Sequence, residues 1–101
     1  MITKIKESPL KNKRYRVYLD NNEKRYYDFG YPGAFTYIDG ASELTRLNYQ
    51  KRHLGNETEN ILIQNLVPSP SLMSFYILWG KYRDITRNIN YLNNLWRKKH
   101  G

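Results

Sequence analysis

Lys11, Lys13, Arg14, Arg16, Lys24 and Arg25 are interleaved with Tyr18 and Tyr26 in a chain of 101 residues that holds 17 Lys/Arg against nine Asp/Glu. Cations alternating with rings suit phosphate neutralisation combined with stacking on bases. The same pattern also describes a solvated strand face on which lysine discourages edge-to-edge pairing. A second group, Arg46, Tyr49, Arg52 and His53, falls at spacings of three and four, the stripe of one helix. That stripe either binds phosphate or locks its helix to carboxylates of the same chain, with Asp39, Glu43, Glu57 and Glu59 available. Arg97-Lys98-Lys99-His100 forms a third basic group, either a phosphate contact or a frayed, solvated helix end.

Most enzymatic chemistries lack their residues. With no cysteine there is no thiol nucleophile, thiolate metal site or disulfide framework. Asp28-Phe29-Gly30 spells a kinase magnesium tripeptide, but no glycine-rich loop or catalytic loop accompanies it. Arg52-His53 with Glu57 and Glu59 suggests an acid–base or metal group, yet the only other histidine is His100. A stable metal site needs three or four placed ligands. Asn56-Glu57-Thr58 fits a glycosylation acceptor only in a secreted chain, and Met1-Ile2-Thr3-Lys4 has no apolar run behind it to act as a secretory signal. No apolar window is long enough to span a membrane. The expectation is a non-enzymatic protein with no cofactor and an acidic partner.

The elements that position these groups follow from periodicity. Tyr15, Val17 and Leu19 alternate with Arg14, Arg16 and Tyr18; Arg25, Tyr27 and Phe29 alternate with Lys24, Tyr26 and Asp28. Asp20-Asn21-Asn22-Glu23 lies between them as a turn, so the region reads as a β-hairpin. If its apolar face packs inward, Arg14, Arg16, Tyr18, Lys24 and Tyr26 point outward together. Residues 1–12 carry no clear period and read as a mobile basic arm. Asp39 or Ser42 caps a helix through Leu54, on which Leu44 and Leu47 share a face, and Gly55 stops it. Glu59 to Val67 is read as a helix ending at Pro68. Ser71 caps a short buried helix, Leu72 to Trp79, closed by Gly80. Asp84 caps a last helix with the stripe Ile85, Ile89, Leu92 and Trp96. Trp79 and Trp96 read as core anchors.

The fold class is therefore α+β: one small domain, residues 13–96, with an N-terminal hairpin, three or four short helices, and a basic tail at 97–101. Charge is segregated. Residues 1–25 carry eight bases and three acids, and residues 81–101 six and one, whereas 26–80 hold three and five.

Several of these elements occur together in a family. Asp28-Phe29-Gly30, then Arg46, Tyr49 and Arg52-His53, then the run Pro68 to Gly80 ending Leu78-Trp79-Gly80, then Asn88-Ile89 and Tyr91 resemble small uncharacterised proteins of nucleocytoplasmic large DNA viruses. The similarity covers residues 13–93 and is most specific from Ser71 to Gly80; Gly55–Val67, apolar and Asn-rich, departs from it. The resemblance implies a viral protein and carries no activity or catalytic residue. Ten tyrosines and two tryptophans suit protein interfaces, so the first expectation is a particle component, a minor capsid or internal packaging protein. Its partners would be other viral structural proteins, in the virion and the host cytoplasm. The alternative is a module that binds DNA or RNA without sequence preference through the hairpin face.

Overall fold

Alternating apolar positions set the first packed layer. β2 (Tyr15–Leu19) and β3 (Asn22–Phe29) pair antiparallel, with Val17 opposite Tyr27 and Tyr18 opposite Tyr26. Their turn places Asp20 and Asn21 at φ 55° and 56°, the left-handed pair that matches strand twist. The computed structural model describes residues 1–101.

The hairpin is the greater part of a three-stranded sheet. β1 (Ile2–Glu7) pairs antiparallel with β2 in the order β1-β2-β3, which corrects the expected mobile arm. A bulge between Ile2 and Lys4 lets Ile2 face Leu19 while Ile5 faces Val17, so both isoleucines lie on the inner side. Strict alternation would place them on opposite faces, which conceals the strand in the sequence. Ile2, Val17, Leu19 and Phe29 then join Leu72, Met73, Ile77 and Leu92 in one core.

Four helices follow the sheet: α1 (Glu43–Leu54), α2 (Glu57–Gln64), α3 (Pro70–Met73) and α4 (Ile85–His100). Of these, α3 and α4 supply core residues against the inner face, and α2 and α1 pack outward from α3 in turn. A 3₁₀ turn, Tyr37–Asp39, precedes α1. Ser42, Asn56, Ser69 and Asp84 cap the four helices through their side chains. The cap of α3 is thus Ser69, two residues earlier than expected, because Pro70 at the first helical position needs no N–H partner. After Met73 the chain widens to a π turn over Ser74–Leu78, and the Trp79 amide donates to the Ser74 carbonyl. The expected single helix from Leu72 to Trp79 is therefore two geometries in series. Arg97 to His100 complete α4 and are not a separate tail.

α1 corrects a further expectation. It buries no residue, and Leu44 and Leu47 are 68% and 49% exposed. Its inward face is the Arg46, Tyr49, Gln50 and His53 side. Arg46 donates from Nε to the Gly80 carbonyl at 2.7 Å, and Gln50 donates to the Trp79 carbonyl at 3.0 Å. Polar reading of that chain corner fixes the helix where apolar burial does not.

Candidate nucleic-acid interface and cleft

The outer face of the sheet collects side chains from all three strands. Lys4 and Lys6 of β1 stand opposite Tyr18 and Arg16 of β2, which stand opposite Tyr26 and Asp28 of β3. Lys24 is exposed in the irregular stretch between Asn22, opposite Leu19, and Tyr26, opposite Tyr18. Tyr18 and Tyr26 lie with ring centroids 6.0 Å apart, and the Arg16 guanidinium sits 4.0 Å from the Tyr26 centroid. The Lys4 and Lys6 ammonium groups lie 5.6 and 5.7 Å from the Tyr18 centroid.

Those lysines cover Tyr18, which is buried, whereas Tyr26 remains 43% exposed and is the ring open to a ligand. Burial pushes the Tyr18 hydroxyl up, but hydrogen bonds to Arg16 and Lys6, and their charges, leave it below the ordinary phenol value. The face is strongly electropositive at that point. Lys4 and Lys6 were invisible as site residues because β1 was.

The arginines of the hairpin are not free. Arg14 pairs both of its terminal nitrogens with Asp39, and Arg16 pairs Nε and Nη2 with Asp28 at 2.9 and 3.0 Å. Arg25 pairs with Asp20 in the open. Asp28 also accepts from the Ser8 hydroxyl at 2.7 Å, so the one carboxylate on the outer sheet face is fully engaged. The charge open to solvent there belongs to Lys4 and Lys6, and Lys24 is exposed in the irregular stretch before Tyr26. Lys11 is exposed in the β1–β2 connection.

Hydrogen bonding to Arg16 holds the Asp28 carboxyl below its ordinary value, and Arg14 does the same more strongly at Asp39. A group whose value is lower folded than unfolded contributes stability at neutral pH that is lost as pH falls. The melting temperature is expected to drop from pH 5 downward, through the ordinary carboxylate value of 3.8 and below it. An Asp28→Asn, Asp39→Asn double variant should show a flatter melting profile over that window. A profile as steep as that of the parent would remove these pairs as the cause.

The helical stripe is split between structure and an open cleft. Arg46 also holds Glu43 at 2.8 Å and is committed to the Gly80 corner. Tyr49 stacks on Trp79 with centroids 4.4 Å apart and planes at 12°. Burial pushes its hydroxyl up to about 12. His53 Nδ1 meets Glu59 Oε2 at 2.7 Å, and the Ser71 hydroxyl donates to Glu59 Oε1 at 3.2 Å. Glu59 comes from α2, in the segment Gly55–Val67 that departs from the family resemblance, and is one of the carboxylates the sequence offered to the stripe. Tyr49, Arg52, His53 and Trp79 line a cleft of about 450 Å³ with Lys13, Glu59 and Ser71.

A third cluster lies on α4 and the turn before it. Arg83 sits 4.0 Å from the Tyr37 centroid and Arg87 4.0 Å from that of Tyr82, while Lys81 is 5.5 and 5.3 Å from Tyr82 and Tyr91. The two rings meet edge to face at 6.4 Å. None of these cations is in an ion pair. The signal was present in the sequence as cations at 81, 83 and 87 beside Tyr82 and Tyr91. Arg97, Lys98 and Lys99, by contrast, occupy the exposed last turn of α4, and His100 packs against Trp96 at 4.8 Å.

No curated protein and no solved structure matches the chain. A model of the Family of unknown function (DUF5754) matches residues 3–53, which include all of the outer sheet face and the Arg46-to-His53 stripe. The match covers half of the chain, and the protein belongs to the DUF5754 family.

Proposed function

We propose that this is a small, basic, non-enzymatic component of a large-DNA-virus particle whose outer sheet face lies against packaged nucleic acid. The observation that carries the reading is the sheet face itself: Lys4 and Lys6 beside Tyr18, the open Tyr26, exposed Lys24 two residues before it in the chain, and a carboxylate, Asp28, already held by Arg16 and Ser8. Unpaired lysines on a rigid sheet neutralise phosphates in any sequence context, and the open Tyr26 ring offers stacking to an unpaired base. The viral reading is supported by the resemblance of the Asp28-Phe29-Gly30, Leu78-Trp79-Gly80 and Asn88-Ile89 elements, and location in the virion and the host cytoplasm is proposed along with it.

A second reading is favoured by α1. Its outward Leu44 and Leu47 suit a protein partner, such as another structural protein of the particle.

Titration against random-sequence single- and double-stranded DNA at several salt concentrations separates the two. Micromolar binding is expected, with affinity falling linearly on a log–log salt plot. A Lys4→Gln, Lys6→Gln, Lys24→Gln variant should weaken binding to every sequence alike and reduce the slope by about 2–3, near 0.9 per lost duplex phosphate contact. An unchanged slope in that variant would sink the sheet-face reading. Negligible binding at physiological salt would do the same and leave α1 as the working surface.

A further inference from the structure

The cleft beside α1 has a chemistry of its own, independent of the sheet face. Its walls come from distant parts of the chain: Lys13 before β2, Arg52 and His53 at the end of α1, Glu59 on α2, Ser71 on α3 and Trp79 after the π turn. Glu59 is the only carboxylate among the lining residues, and both of its oxygens are occupied, by His53 and Ser71. Lys13 and Arg52 line the same space and belong to no ion pair. The cleft therefore carries two unneutralised cations above an internally satisfied His–Glu–Ser network. Because Glu59 takes Nδ1 of His53, the ring keeps Nε2 as its remaining polar atom.

Ring surface is available at the same place. Tyr31, 71% exposed, forms the rim with the Lys13 ammonium 6.0 Å from its centroid. The Tyr49–Trp79 stack forms the inner wall. At about 450 Å³ the space is within the range of small-ligand sites.

We propose that this cleft binds a phosphate monoester joined to a planar ring, the chemistry of a nucleoside monophosphate. Two cations from separate elements match a dianionic phosphate, and the guanidinium fork of Arg52 pairs with two of its oxygens. Lys13, from a separate element, supplies the second charge, and the ring lies against Tyr31. The same unit occurs as a free mononucleotide and as the 5′-phosphorylated end of a strand.

Calorimetric titration of the full chain tests the proposal with four probes: deoxyadenosine 5′-monophosphate, deoxyadenosine, and a short single strand with and without a 5′-phosphate. The phosphorylated member of at least one pair is expected to bind at least tenfold tighter than its unphosphorylated counterpart. Preference within the nucleoside pair identifies the free nucleotide as the ligand; preference within the strand pair alone identifies the strand end. Arg52→Gln and Lys13→Gln should each weaken that binding at least tenfold with a nearly unchanged melting temperature, since neither side chain makes an ion pair within the fold and Lys13 touches only the exposed Tyr31 ring. The Lys4/Lys6/Lys24 glutamine variant should leave the phosphate preference intact, so loss of the sheet-face reading and loss of this one are told apart. Equal affinity within both pairs, no binding of any probe at millimolar concentration, or full phosphate preference in Arg52→Gln overturns it.

Discussion

Asn88→Leu is expected to destabilise the protein by roughly 3 kcal/mol or more, since three hydrogen bonds at a buried site are lost together and each orphaned group costs about 1–3 kcal/mol. Asn88 is completely buried on the inner face of α4. Its Oδ1 accepts the Tyr82 amide at 2.8 Å, and its Nδ2 donates to the carbonyls of Ile77 and Tyr82 at 2.9 and 2.7 Å. One side chain thus supplies partners for backbone groups on both sides of the Trp79–Gly80 corner, where the π turn leaves the chain without regular ladder bonds. Leucine keeps the branching and removes all three partners. Denaturant unfolding monitored by tryptophan fluorescence gives the difference directly, and a loss under 1 kcal/mol would mean that water or local rearrangement satisfies the corner.

Gly80→Ala is the second large effect, and it acts through space alone. A methyl group at position 80 would lie 1.9 Å from the Tyr76 carbonyl oxygen and 3.0 Å from Asn88 Cγ. The first contact is with backbone, so no rotamer change relieves it. The π turn must shift bodily, carrying Trp79 off Tyr49 and breaking the Arg46 and Gln50 bonds to the two corner carbonyls. A loss of roughly 4 kcal/mol or more, or failure to fold, is expected, in the range reserved for named steric conflicts. A variant that folds with parental stability would show that the corner can open. Gly80 and Asn88 touch the same space, so the double variant should cost less than the sum of the singles.

These two residues also show what sequence can and cannot convey. The hairpin was legible because Tyr15, Val17 and Leu19 keep strict alternation, and α4 because its apolar residues recur at helical spacing. β1 was illegible because one bulged residue moves Ile2 to the face of Ile5, which defeats any period-two reading. On α1, Leu44 and Leu47 mark the wrong face, since hydrogen bonds from Arg46 and Gln50 to carbonyls some thirty residues away decide its rotation.

The site was legible in its residue types and not in its groupings. Basic and aromatic side chains stand out in the sequence, but nothing in their spacing assigns Arg14 to Asp39 or leaves Lys4 and Lys6 unpaired. The cleft is less legible still. Its residues lie at positions 13, 52, 59 and 71 and meet only when the helices close over the sheet.

The first strand is tied to the last helix of the domain, and this orders how the fold is made. The Ile2 amide donates to Asn93 Oδ1, and Asn93 Nδ2 donates back to the Ile2 carbonyl, both at 2.9 Å, across 91 residues. A ribosome releases β1 well before α4. Until α4 arrives, the inner face of the sheet lacks Leu92, and the Ile2 backbone lacks its partner. The sheet can pair early from local contacts, but its core seals only once α4 has emerged, after a loop closure that spans most of the domain. The nascent chain therefore passes through a stage in which the Ile2–Val17–Leu19–Phe29 surface is only partly covered, and the docking of α4 completes the cover.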